Sequence, residues 1–269
     1  FLRWHDPHQV KASKYNFLSA GCPAPLFFVL HDTPLQKVCQ GLAFWSGAAY
    51  SENTLNTGGI HDESFAAATT FVRRNRHLRG RTLLDTVAAA LDGGATFVQL
   101  REKELSPAAL LEEARALAKL CHARHVPFVV DDNVEVALAA GADGVHVGQS
   151  DMAARRARAL LGPDKILGVS AHNAAEALVA QADGADYLGC GAAFVTGTKL
   201  DAHPVTAETM RAVTAAVNIP VVAIGGIEES NILQLQGRGL AGVAVVSAIF
   251  AAQDPEAASR RLYELSGQL

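Results

Sequence analysis

From about residue 67 onward, short apolar runs alternate with longer stretches whose apolar positions recur at helical spacing. The runs at 69–72, 96–100, 127–130, 144–147, 166–169, 187–189, 220–224 and 242–246 have the length of buried strands. Between them, Ala- and Leu-rich stretches such as 106–125, 134–140, 153–161, 174–183 and 207–217 predict helices. The punctuation agrees with this division. Gly-Ala pairs at 94–95, 141–142 and 184–185 fit a helix stop and a tight turn into the next strand, and Gly141 suits a left-handed helix cap. Pro127 and Pro220 stand at strand starts, where a missing N–H is tolerated. Ser106 followed by Pro107 reads as an N-cap with proline at the first helical position. Eight strands alternating with helices over roughly two hundred residues predict an α/β protein of the TIM (β/α)8 barrel type. An open doubly wound sheet is the alternative, but it would normally carry a GxGxxG turn, which is absent here. The weak stave is the first, because 69–72 runs straight into Arg73-Arg74-Asn75-Arg76.

Residues 1–66 stand apart from this rhythm. Trp4, Trp45, Pro23, Pro25, Pro34 and the polar run 51–59 show no sustained period, and the one strand-like piece is 26–30. The expected organisation is therefore an N-terminal extension of unknown structure, 1–66, before a barrel at 67–269. His5-Asp6-Pro7-His8 has no second cluster to complete a metal site and is not read as one.

Composition narrows the function classes. With 49% hydrophobic and 19% charged residues the chain is an ordinary globular protein. A net charge of −4 argues against nucleic acid or an anionic membrane as partner, so any anion site must be a local gathering of cations. Cys22, Cys39, Cys121 and Cys190 form no CxxC pair, which suits reduced thiols and a cytoplasmic location. No apolar run approaches the length of a membrane span. Oligomerisation is left open.

In a barrel the chemistry sits at the carboxyl ends of the strands, so those ends are the places to look. After the second strand come Gln99, Arg101 and Lys103, the last two sharing a side if the extension persists. Asp131 and Asp132 follow the third, Gln149 and Asp151 the fourth, and the fifth ends at Ser170. The sixth leads into a small-residue loop ending in Lys199, the seventh ends at Gly225-Gly226-Ile227, and the eighth at Ser247. Asp132 and Asp151 follow consecutive strands, which brings two carboxylates to one rim, the usual protein share of a Mg²⁺ site that also takes phosphate oxygens. Taken singly, each residue has a plainer reading as solvated surface or a cap. His146, within a strand, reads as barrel-lining packing and His172 as decoration of a helix N-terminus. Jointly, three cations, two carboxylates and a hydroxyl suit a pyrophosphate. Gly226 and Ser247 fall where barrels commonly build a phosphate-monoester site. Two phosphorylated small-molecule substrates are the partners this pattern implies.

Gln99-Leu100-Arg101-Glu102-Lys103, Asp132 with Asp151, Gly168-Val169-Ser170-Ala171-His172, Asp186-Tyr187-Leu188-Gly189, Thr196-Gly197-Thr198-Lys199, Ile224-Gly225-Gly226-Ile227 and Val245-Val246-Ser247-Ala248-Ile249 together resemble the thiamine-phosphate synthase family, over roughly 67–265. The resemblance implies a barrel that joins a hydroxymethylpyrimidine pyrophosphate to a thiazole phosphate. It further implies that Gln99, Leu100, Arg101, Glu102, Lys103, Asp131, Ser170 and Lys199 serve the pyrimidine pyrophosphate, with Arg101, Lys103, Ser170 and Lys199 acting in catalysis. Asp132 and Asp151 would hold Mg²⁺. Thr196, Gly197 and Thr198 would line the thiazole, and Gly226, Val246 and Ser247 would bind its phosphate. Three departures stand out: the first strand near 69–76 matches poorly and is preceded by about 66 residues with no counterpart, Asp131 replaces the family's usual Asn, and Ala192-Ala193-Phe194-Val195 lacks the prolines often found there. A thiazole tautomerase on the same fold, or an inactive precursor binder, are the other readings.

Overall fold

The computed structural model describes residues 67–72, 78–195 and 204–269, with the side chains of 67–72 left aside. Eight strands are present: β1 (Ala67–Val72), β2 (Phe97–Leu100), β3 (Phe128–Asp131), β4 (Gly144–Val147), β5 (Ile166–Ala171), β6 (Tyr187–Gly191), β7 (Val221–Ile224) and β8 (Gly242–Val245). They pair in parallel and in chain order, and β1 pairs with β8 to close the barrel. The doubtful first stave is thus a full member. Thr69 registers against Phe97 on one side and Ala244 on the other, so both edges of its backbone are satisfied. The extension 1–66 lies outside the described residues.

The helices are α1 (Leu83–Asp92), α2 (Pro107–His122), α3 (Val134–Ala140), α4 (Ala154–Leu161), α5 (Ala174–Ala182), α6 (Ala207–Ala216), α7 (Ser247–Phe250) and α8 (Pro255–Ser266), with a 3₁₀ turn at Ile232–Leu235 between β7 and β8. Local chemistry starts most of them. Thr82, Ser106, Asn133, Asn173, Thr206 and Asp254 each accept, through the side chain, the backbone N–H three residues on, satisfying a donor that the first helical turn leaves unpaired. Gly141 caps α3 at φ 72°, a conformation that a Cβ would strain. Several boundaries move from expectation: β5 runs on to Ala171 and β6 to Gly191. Asp131 is the last residue of β3, and β8 ends at Val245, so Val246 precedes the short helix α7 and Ser247 begins it.

The strands separate two apolar layers. Outward-facing residues such as Val98, Leu100, Val145, Val147 and Leu188 pack under the helices in the main core, while Phe97, Val129, Ile166 and Tyr187 form a second cluster inside the barrel. This alternation leaves the next inward positions toward the carboxyl ends to polar residues: Gln99, Asp131, His146 and Ser170. Among the described residues no helix is long and apolar enough to cross a membrane.

Candidate active site

A cavity of about 740 Å³ opens at the carboxyl end of the barrel. Gln99, Arg101, Lys103, Asp131, Asp132, Asp151, Ser170, Gly226, Val246 and Ser247 all line it, so most of the site residues expected from the sequence converge on one space. Leu100 and Glu102 do not line it. Leu100 packs in the outer core, and the Glu102 carboxylate turns to accept the N–H of Glu104 at 3.0 Å, so only their backbone is left to act at the rim. Thr196, Gly197, Thr198 and Lys199 lie outside the described residues.

Three acids meet the two cations of the β2 loop. Arg101 Nε lies 3.1 Å from Asp131 Oδ2, and Lys103 Nζ lies 3.2 Å from Asp132 Oδ2. Burial and the neighbouring Asp132 charge push Asp131 up to about 7, with Arg101 and the Gln99 amide pulling the other way. Asp132 occupies the left-handed region at φ 63°, a strain of about 1 kcal/mol for a non-glycine residue. Its N–H reaches back to His146 O at 2.8 Å, which folds the chain over β4. That turn sets its carboxyl against Asp151. Burial and the contact with Asp151 hold Asp132 above the usual carboxylate range. Burial also acts to raise Asp151, but the hydrogen bonds it takes from Asp132 and from Gly148 N–H, the latter at 2.9 Å, carry it below that range.

Two carboxyls this close repel one another when both are charged, and a proton or a cation between them would relieve that repulsion. Hard oxygen donors in a pair, beside open cavity, suit Mg²⁺ completed by ligand oxygens. Among the described residues no group of three or more His, Cys, Asp or Glu stands ready to hold a metal alone.

Tyr187 and His146 are among the cavity residues that received no chemical role from the sequence. Tyr187, at the start of β6, and His146, on β4, meet with Tyr187 Oη 3.0 Å from His146 Nδ1, and His146 Nε2 lies 3.0 Å from Ser170 Oγ. His146 does line the barrel, as expected, buried against the Tyr187 ring, and it is in addition a hydrogen-bonding partner of Ser170. The legible signal was the period-two alternation that puts Gln99, Asp131, His146 and Ser170 on one face. His172 is held by Glu176, which accepts both its N–H, at 2.8 Å, and a contact from Nδ1, at 2.9 Å, in the manner of a helix cap.

A closed parallel barrel with cations, paired acids and a half-buried hydroxyl gathered at its carboxyl rim has the architecture of an enzyme that handles charged, oxygen-rich ligands. Residues 70–249 match the family model described as thiamine monophosphate synthase. The chain is 51% identical over 187 residues to the thiamine-phosphate synthase of Moorella thermoacetica, covering 69% of this chain and 89% of that one. It is 52% identical over 188 residues to that of Chloroflexus aurantiacus, covering 70% and 87%. Among solved structures, thiamine phosphate pyrophosphorylase from Pyrococcus furiosus is similar with a TM-score of 0.68 at 36% identity, over 76% of this chain and 96% of that one. The chain belongs to the thiamine monophosphate synthase family and is an enzyme of that type.

Proposed function

We propose that this chain joins 4-amino-5-hydroxymethyl-2-methylpyrimidine pyrophosphate to 4-methyl-5-(2-phosphoethyl)thiazole, or its carboxylated form, giving thiamine phosphate and pyrophosphate. The observation that carries this reading is the gathering of Arg101, Lys103, Asp132, Asp151 and Ser170 around one cavity. In the reaction the C–O bond to pyrophosphate breaks, and a C–N bond forms to the thiazole nitrogen. The electron-donating ring amine lets the pyrimidine CH₂ bear positive charge as pyrophosphate leaves. No strong base is needed, because the thiazole nitrogen already carries the attacking lone pair.

What the protein must supply is stabilisation of the leaving diphosphate and alignment of the two rings. Arg101 and Lys103 bind the diphosphate, exchanging their partners Asp131 and Asp132 for its oxygens, and Ser170 donates its hydroxyl. Lys199 adds a further cation. Asp132 and Asp151 hold Mg²⁺, which neutralises charge on the diphosphate oxygens when bound. Gln99 and Asp131, with the backbone of Leu100 and Glu102, position the pyrimidine side. Thr196, Gly197 and Thr198 line the thiazole, and Gly226, Val246 and Ser247 bind its phosphate. A thiazole tautomerase would need neither the paired acids nor the β2 cations.

The test is the purified chain with both substrates, with and without Mg²⁺, measuring thiamine phosphate. Metal-dependent product is expected. Isomerised thiazole without metal, or substrate binding without product, would each overturn the reading.

A further inference from the structure

Across the cavity floor runs a continuous chain of polar contacts from Asp131 to Ser170. Gln99 Nε2 donates to Asp131 Oδ1 at 2.6 Å, Tyr187 Oη lies 3.4 Å from Gln99 Oε1 and 3.0 Å from His146 Nδ1, and His146 Nε2 lies 3.0 Å from Ser170 Oγ. These groups are deeply placed: Gln99 is 0% and His146 4% exposed. The neighbouring strand makes room for the pair. A Cβ on Gly168 would sit 2.4 Å from His146 Nδ1 and 2.3 Å from Tyr187 Cζ, so β5 carries no side chain where they meet.

Counting protons along the chain fixes its options. In its ionised form, paired with Arg101, Asp131 takes the Gln99 amide N–H, so the amide oxygen faces Tyr187. That oxygen only accepts, and Tyr187 has one proton to give. Burial holds the phenol well above its ordinary value, which keeps that proton in place. With one proton on His146, these contacts admit two arrangements. In the first, Tyr187 donates to Gln99, His146 Nδ1–H donates to Tyr187, and the Ser170 hydroxyl donates to His146 Nε2. In the second, Tyr187 donates to His146 Nδ1, and Nε2–H donates to Ser170, whose own proton is then free. An anionic oxygen accepts only, so Ser170 can serve it only in the second arrangement. Moving to that arrangement gives up the 3.4 Å contact, the longest in the chain, and frees the Gln99 oxygen.

We propose that His146 and Tyr187 are positioning residues forming a reversible hydrogen-bond relay. When a diphosphate oxygen engages Ser170, the relay reverses its direction of donation, and the Gln99 amide oxygen becomes available to accept the amine of the pyrimidine ring. The two halves of one substrate thereby reinforce each other's binding across the barrel. This rests on the reading of the preceding subsection as far as the ligand's identity goes. The reversal itself needs only a diphosphate.

The test uses the unmodified full chain. Long-range ¹⁵N–¹H NMR of the histidine rings, with His146 assigned through its ring-to-backbone correlations, is expected to show Nδ1–H without ligand. Addition of inorganic pyrophosphate with Mg²⁺ should convert it to Nε2–H. The Nε2–H form before ligand, a doubly protonated ring, or no change on addition would each overturn the relay. In parallel, binding of 4-amino-2,5-dimethylpyrimidine is measured with and without pyrophosphate. Pyrophosphate should tighten it by about fivefold, the low end of typical coupling between sites. Tyr187→Phe should abolish that tightening, a readout that a merely structural role for the ring would not move. Equal affinity with and without pyrophosphate, or undiminished coupling in Tyr187→Phe, would overturn the proposal. Thiamine phosphate formation by the same preparation tests the underlying reading separately. Its absence alongside a reversing tautomer would sink that reading and leave the relay standing.

Discussion

Arg101 is held by Asp131: Nε lies 3.1 Å from Asp131 Oδ2, while the other carboxylate oxygen takes the Gln99 amide at 2.6 Å. The carboxylate therefore organises two cavity-lining side chains, and under the proposed function it would also compete with an incoming diphosphate for the guanidinium. Replacing it by an amide keeps one acceptor and removes the competing charge. Asp131→Asn is expected to lower the apparent KM for the pyrimidine pyrophosphate or leave it unchanged. Initial-rate kinetics at fixed thiazole phosphate check this. A severalfold rise would mean that Asp131 orients Arg101 for the ligand more than it opposes the ligand's charge.

The Asp132–Asp151 pair gives a prediction about metal. Two carboxyls in contact repel unless a proton or a cation lies between them, and at neutral pH a divalent ion is the stronger neutraliser. Dialysis against EDTA should reduce synthesis to background, and added Mg²⁺ should restore it. Asp151→Asn should raise the Mg²⁺ concentration for half-maximal rate by about tenfold or more, since loss of even a supporting contact in a metal site costs about that much. Full activity in EDTA would remove the metal from the reaction.

Much of this architecture was legible in the chain. Local signals sufficed for the strands and for five of the helices, because Ser106-Pro107, Gly141 and the short apolar runs act within a few residues of themselves. The rim acids and cations followed from reading only what comes after each strand. What local signals could not give was closure through β1, which depends on Ala67–Val72 pairing with strands about thirty and more than a hundred and seventy residues further along the chain. Nor could they give the contact of His146 with Tyr187, forty-one residues apart and on strands separated by β5. That meeting is set by barrel radius and by the missing side chain of Gly168. The change of role at Val246 and Ser247, from strand end to helix start, reflects a four-residue helix too short to show a period.

Lys199 yields a prediction from the resemblance of its motif. If it faces the departing diphosphate, Lys199→Ala should lower kcat by about 10²-fold or more, the scale of losing one preorganised donor at developing charge. Single-turnover rates at saturating substrate check it. A loss below about threefold would remove Lys199 from the chemistry.

At the opposite end of the barrel, Asp186 is a stability determinant. Its Oδ2 accepts the Leu167 N–H at 2.7 Å and Arg158 Nη2 at 2.5 Å. Arg158 in turn ties down the carbonyls of Gly162, Lys165 and Gly184, so one ion pair secures the starts of β5 and β6. Asp186→Ala would leave a largely buried guanidinium without its counter-charge and the Leu167 N–H without this acceptor. A loss of about 3 kcal/mol or more is expected. Urea unfolding at neutral pH measures it, and a loss below about 1 kcal/mol would show that water or the remaining carbonyls compensate.

Buried thiols give the chain a defined alkaline weakness. Cys121 and Cys190 are both fully buried and unbridged. Burial, with the charge of Asp143, raises Cys121 from 9.0 to about 12, and burial, with Glu176, raises Cys190 to about 11. Below the ordinary thiol range both folded and unfolded chains keep these protons. Above it the unfolded chain releases them while the folded chain does not, so the unfolded state binds fewer protons and stability falls as pH rises. For one thiol the slope is about 1.4 kcal/mol per pH unit within the window. Other groups titrate there too, so the informative quantity is the stability difference between the chain and its Cys121→Ala variant. That difference should shift by about 1 kcal/mol in favour of the variant between pH 8 and pH 10, measured by urea unfolding under reducing conditions. A difference that stays constant across this range would mean that Cys121 ionises as readily in the folded barrel as in the unfolded chain.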